Sequence, residues 1–225
     1  MELSPRLIEV QVPREPEGAV LLLHGGASRR RSMRVSPTQL SVLRMIPIGR
    51  RVARAGRGQL AVFRLLNAQR GWATTHTPVD DAVWALAEVA RRFGAALPTC
   101  LVGHSLGGRA ALLAIGQPSV RSAAALAPWV YPTDVPAALE GRSVLIVHGT
   151  KDRIAAQSRS LELARTLTRH VQVGYVSVEG GKHAMLRHHS VFDSLAAGFA
   201  VTTLLGAPPT GALARIASGE RLVTV

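Results

Sequence analysis

The sequence predicts an α/β fold with a mostly parallel central sheet flanked by helices. Short apolar runs bounded by Gly, Pro or charged residues recur along the chain, and helical patterns alternate with them. The runs are continuous rather than alternating, as in strands buried on both faces. The 225 residues suffice for one sizeable core, and a hydrophobic share of 47% excludes a disordered chain.

In order, RLIEVQVP can supply one N-terminal strand. AVLLLH (19–24) follows and ends at Gly25-Gly26. The next runs are LAVFRLL (60–66), TCLV (99–102), AAALA (123–127), SVLIV (143–147) and VQVGYVSV (171–178). The clearest helix spans 77–93. Thr77 is a natural N-cap, Pro78 suits the first helical position, and Asp80 and Asp81 complement the dipole in the first turn. Val79, Val83, Leu86, Val89, Ala90 and Phe93 give it one apolar stripe, and Gly94 closes it. Further helices fit GRAALLAI (108–115), 155–168 and 190–205. The strand–helix alternation gives a single domain over 1–206. Residues 207–225, with Pro208-Pro209, Gly211 and Gly219, read as a tail.

Composition excludes several classes. No apolar run approaches the length of a membrane span, and the N-terminus lacks a secretory h-region, so a cytoplasmic location is expected. The single cysteine, Cys100, can form neither an internal disulfide nor a cysteine-based metal site, and no histidine spacing suggests a metal. No cofactor is expected. Net charge is +13, and all basic residues except Lys151 and Lys182 are arginines. Arginine-rich, alanine-rich composition reads first as genome bias. No nucleic-acid recognition module is evident, so nucleic acid is not an expected partner.

One motif carries chemistry. Gly103-His104-Ser105-Leu106-Gly107 follows the strand TCLV and precedes a helical run. G-x-S-x-G in strand–turn–helix context makes a sharp, strained turn that pushes the serine hydroxyl out over the strand end. The N–H of Leu106, at a helix N-terminus, is then placed to stabilise an oxyanion.

These residues resemble the nucleophile turn of the α/β-hydrolase superfamily, nearest the small, lid-less bacterial dienelactone-hydrolase and carboxylesterase type. The resemblance covers about residues 17 to 205. It implies the α/β-hydrolase fold and the chain order nucleophile, acid, histidine. Asp152, in His148-Gly149-Thr150-Lys151-Asp152 after a late strand, matches the acid; Asp134 is the fallback. His183, in Gly181-Lys182-His183 after the last strand, matches the base, with His188 and His189 as competitors. His24-Gly25-Gly26 matches the oxyanion strand end, and nominates the amide of Gly26 or Ala27 as second donor. His24 and His104 are read as structural or pocket-lining, and His76, His148 and His170 as solvent-facing or loop-stabilising.

The match also exposes departures. Only about 16 residues precede AVLLLH, so the edge strands at the N-terminal side are expected to be reduced. The link from Pro128 to Arg142 is too short for a cap domain, which predicts a shallow, open pocket for short or exposed esters. Trp129, Tyr131 and Trp72 are candidates for its lining. Arg30, with Arg29, Arg31 and Arg34, borders the expected mouth, and an anionic ester is one reading of that segment. The activity implied is ester hydrolysis by Ser105, His183 and Asp152 on a small-molecule substrate. Thioester or peptide hydrolysis by the same residues, or a non-catalytic binding protein on this scaffold, are the alternatives.

Overall fold

The computed structural model describes residues 4–26 and 34–225. Its elements, in chain order, are β1 (Arg6–Gln11), β2 (Gly18–Leu23), α1 (Leu40–Leu43), α2 (Met45–Ala55), β3 (Leu60–Leu66), α3 (Pro78–Phe93), β4 (Thr99–His104), α4 (Leu106–Leu113), β5 (Val120–Leu126), β6 (Ser143–Gly149), α5 (Gln157–Leu167), β7 (Gln172–Val178), α6 (His189–Leu205), α7 (Ala212–Ala217) and β8 (Leu222–Thr224). The strands form one eight-stranded sheet in the order β1-β3-β2-β4-β5-β6-β7-β8. Only β1 runs antiparallel, pairing with β3. Among the described residues, β1 is the antiparallel strand at that edge.

Strand alternation divides the core into two layers. Leu21, Leu23, Phe63 and Leu101 face the layer built from α3, α4 and α5. Val20, Leu22, Val62 and Val102 face the layer of α2 and α6. Residues on both faces of the central strands are therefore apolar, which is why these segments read as continuous runs.

The cap of α3 forms as expected. The Thr77 hydroxyl accepts from the Val79 N–H, Asp80 accepts from the Thr77 N–H, and Gly94 closes the helix in the left-handed region. Its buried face differs from the expected stripe. Asp81, Ala82, Ala85, Leu86 and Val89 are buried, while Val83 is exposed. The reason is close packing against α4, which small alanines permit and a stripe of large residues does not signal. Asp81 is buried because it accepts from the Ala68 N–H at 3.0 Å and pairs with His76 at 2.6 Å.

Residues 207–225 are not a tail. They form α7 and β8, and β8 adds in parallel to β7 through Val176–Val223. Leu213 and Val223 are buried in the α6-side core. The boundary expected at 206 therefore falls between α6 and elements that share its core.

The link between β5 and β6 contains no helix, as its length suggested. It is pinned instead by Arg142, whose guanidinium donates to the carbonyls of Ile115, Gln117 and Glu140.

Candidate active site

The chain leaves β2 toward β3 on one side, and leaves β4 toward β5 on the other. Neighbouring β2 and β4 thus mark the switch point, where open parallel sheets hold their ligands at the carboxyl ends. Gly25 and Gly26 lie at the end of β2 and Ser105 at the end of β4. A Cβ on Gly25 would sit 3.2 Å from the Ser105 Cβ, so the two loops nearly touch.

Ser105 adopts φ 57 and ψ −119, a region that residues other than glycine avoid. Hydrogen bonds hold it there. Its N–H donates to the Leu126 carbonyl at 3.0 Å, and its carbonyl accepts from Arg109 and Trp129 N–H. Both glycines of the motif are explained by approach. A Cβ on Gly103 would meet the Gly107 carbonyl at 2.1 Å, and one on Gly107 would meet the Leu23 carbonyl at 2.1 Å.

The turn brings Ser105 to residues from two distant loops. Ser105 Oγ lies 3.0 Å from His183 Nε2. His183 Nδ1 lies 2.8 Å from Asp152 Oδ2, which fixes the proton on Nδ1 and leaves Nε2 to accept from the serine. Asp152 Oδ1 accepts from the N–H groups of Ile154 and Ala155 at 2.8 and 2.9 Å. Burial alone would raise the Asp152 carboxyl. Hydrogen bonds from His148, His183 and the Ala155 N–H outweigh it and hold the group well below the usual carboxylate range.

His148 is not solvent-facing; it holds the loop after β6. It is fully buried. Its Nε2 faces Asp152 Oδ2 at 3.2 Å and the Ala155 carbonyl at 3.1 Å, so that nitrogen carries a proton. Its Nδ1 meets Ser160 Oγ at 2.8 Å, and Ser160 in turn meets the Tyr175 hydroxyl at 2.9 Å. Asp152 thus sits between two imidazoles. The sequence offered one signal for this, a histidine at the end of an apolar strand.

His104 and His24 are neutral supports. Burial, with His183 close by, pulls His104 down to about 3, and its Nε2–H donates to the His183 carbonyl at 2.9 Å. Burial pulls His24 down to about 4; its Nε2 accepts from Asn67 N–H while Nδ1–H donates to the Gly25 carbonyl. Each ties one loop of the site in place.

The other candidates separate. Asp134 is engaged by Arg109 at 2.8 Å through both oxygens and by the Tyr131 N–H, so it belongs to a different network. His188 precedes α6, and His189 lies 4.0 Å from Asp193. Neither stands beside Ser105. Trp129 lines the cavity, and Tyr131 does not. It is exposed, and its ring packs against the guanidinium groups of Arg109 and Arg159, which lie 5.0 and 5.3 Å from its centre. Trp72 likewise lies under Arg109. Ala27 and Arg30, with Arg29 and Arg31, lie outside the described residues.

The cavity over Ser105 measures about 740 Å³. It is lined by Gly26, His104, Leu106 and His183 and by the apolar Leu40, Leu43, Pro47, Trp129, Ile154 and Leu186. The lining residues on α1 and after His183 went unnoticed in the sequence, because a four-residue helix and a single leucine in a loop are too short to show a periodic signal. Arg44 also lines the cavity, with its charge met by Asp193 at 2.7 Å. Arg50, Arg51 and Arg54 lie on the exposed face of α2.

No family model matches the chain, and no curated protein matches it in sequence. Solved structures match it closely in fold. An α/β serine hydrolase homologue from Coxiella burnetii superposes with a TM-score of 0.62 at 15% identity, covering 86% of this chain and 90% of its own. Est1E from Butyrivibrio proteoclasticus, solved with ferulic acid, gives 0.65 at 14% identity over 89% and 96%. An esterase from Pyrobaculum calidifontis gives 0.62 at 16% identity over 88% and 86%.

The chain has the α/β-hydrolase fold.

Within this fold, Ser105, Asp152 and His183 occupy the loops after β4, β6 and β7. Gly26 and Leu106 both line the cavity, and a Cβ on Gly26 would lie 3.3 Å from the Leu106 side chain. The Leu106 N–H opens α4 and has no partner within the helix.

Proposed function

We propose that the protein is a serine hydrolase that cleaves carboxylic esters through an acyl-enzyme. The observation that carries this reading is the continuous relay from Ser105 Oγ through His183 to Asp152, at 3.0 and 2.8 Å, on a strained turn that faces the cavity. Ser105 attacks the ester carbonyl while His183 Nε2 takes its proton. Asp152 holds the imidazole in one tautomer and stabilises the imidazolium. The N–H groups of Leu106 and Gly26 receive the oxyanion. His183 returns the proton to the leaving alcohol. Water, deprotonated by His183, then releases the acid and restores Ser105.

The apolar walls favour an apolar acyl or alcohol group. A volume of about 740 Å³ holds more than a two-carbon chain, so the preferred chain is expected to be longer than acetyl.

The test is labelling with a fluorophosphonate probe, wild type beside Ser105→Ala, followed by a p-nitrophenyl ester series. The expected result is labelling of wild type only, with kcat/KM rising beyond acetate. In Asp152→Asn, kcat should fall by roughly 10⁴. Folded wild type that neither labels nor turns over any ester overturns the reading and favours a binding protein.

A further inference from the structure

The three most exposed large apolar side chains among the described residues all stand at the cavity over Ser105. Leu40 is 85% exposed, Ile154 71% and Leu186 70%, and the next, Leu222, is 46%. They come from three separate segments: α1, the loop after β6 and the loop after β7. Leu43, exposed on the same α1, continues the rim. Leaving such side chains in water is unfavourable, and their clustering marks a contact surface. A ligand inside the cavity covers only their inner sides.

The charges beside them have one sign. Arg153 precedes Ile154, Arg187 follows Leu186, and Lys182 precedes His183; all three are exposed. None of them forms an ion pair among the described residues. The side chains of Asp152 and Asp193, the nearby acids, are buried and engaged. Glu179 is the exposed carboxylate of the β7 loop.

We propose that the rim of the cavity docks on an anionic lipid surface, with Leu40, Ile154 and Leu186 entering the headgroup–acyl boundary and Arg153, Arg187 and Lys182 meeting the anionic headgroups. Aliphatic side chains flanked by cations suit that boundary. An acidic protein seated on the same rim would close the cavity it surrounds, whereas a lipid surface presents esters to it. The docking surface stands on the exposed rim alone. Its role in substrate supply rests on the serine-hydrolase reading.

The test is partition onto vesicles of phosphatidylcholine, with and without roughly 30% phosphatidylglycerol. It compares wild type, Ser105→Ala and the triple variant Leu40→Ser/Ile154→Ser/Leu186→Ser. Wild type and Ser105→Ala should bind the anionic vesicles alike. Raising salt from about 0.05 to about 0.5 M should weaken but not abolish binding, because the apolar part is unscreened. The triple variant should partition at least about tenfold less and lose the remainder in salt. The substituted side chains are exposed, and circular dichroism verifies their folding. Absence of wild-type binding overturns the proposal. So does a triple variant that binds like wild type, which would mean that general positive charge suffices, or polyglutamate capture with the same dependence on the three residues. Vesicle binding by a protein that takes no fluorophosphonate overturns the hydrolase reading and leaves the docking surface standing.

Discussion

Asp152 accepts from His183, His148 and the N–H groups of Ile154 and Ala155, which leaves its carboxylate little freedom. In the proposed mechanism His148 acts through Asp152 as a positioning residue. Removing one charge-assisted hydrogen bond costs about 1.5–3 kcal/mol, so His148→Ala should lower kcat by roughly 10–100-fold with little change in KM. His148→Gln, which keeps an N–H donor, should recover most of it. Equal losses in both variants would reduce His148 to a packing residue. Gly26→Ala should also lower kcat, because its Cβ would meet the Arg70 carbonyl at 1.8 Å and push the loop out of place. An unchanged rate in that variant would show that the position of the loop is immaterial.

At the scale of elements, α3 and β8 make contrasting cases. The start of α3 is encoded locally by Thr77, Pro78 and Asp80, all of which act within one turn. Thr77→Ala should cost about 1 kcal/mol in urea unfolding. Its buried face could not be read locally, since contact with α4 selected Ala82 and Ala85. For β8 the signal was weaker still. Three residues among Gly and Arg form a strand only because β7 offers an open edge and Val223 a buried site. Leu213→Ala, in α7 beside it, should destabilise by about 2 kcal/mol. A stability equal to wild type would mean that the C-terminal segment is not docked.

At the scale of the molecule, protonation couples the site to folding. His24 and His104 are buried neutral, with values pulled to about 4 and about 3, against an ordinary value near 6.5 in the unfolded chain. Between these values the unfolded state binds more protons, so stability rises with pH. It is fully present above about 6.5 and falls by up to about 1.4 kcal/mol per pH unit for each histidine as pH drops toward 4. The depressed Asp152 carboxyl adds stability above the ordinary carboxylate range, and that part is lost only at lower pH. Unfolding free energies at pH 7 and pH 5 should differ in this sense, and His104→Gln should flatten the slope. A pH-independent stability across this window would contradict buried neutral histidines.

The sequence by itself determined the central strands, the helix that begins at Pro78 and the turn at Ser105. These depend on interactions within a few residues: apolar runs, caps, and the two glycines that a tight strand–helix turn requires. The tertiary structure decided what depends on distant partners. It set Asp152 beside His183 and paired Asp134 with Arg109. It placed His148 behind Asp152 and moved Tyr131 away from the cavity. It also made a strand of residues 222–224 and gathered Leu40, Ile154 and Leu186 around one mouth. The strand order of the sheet brings these positions together, and no local pattern encodes that order, because each contact joins loops separated by whole strand–helix units.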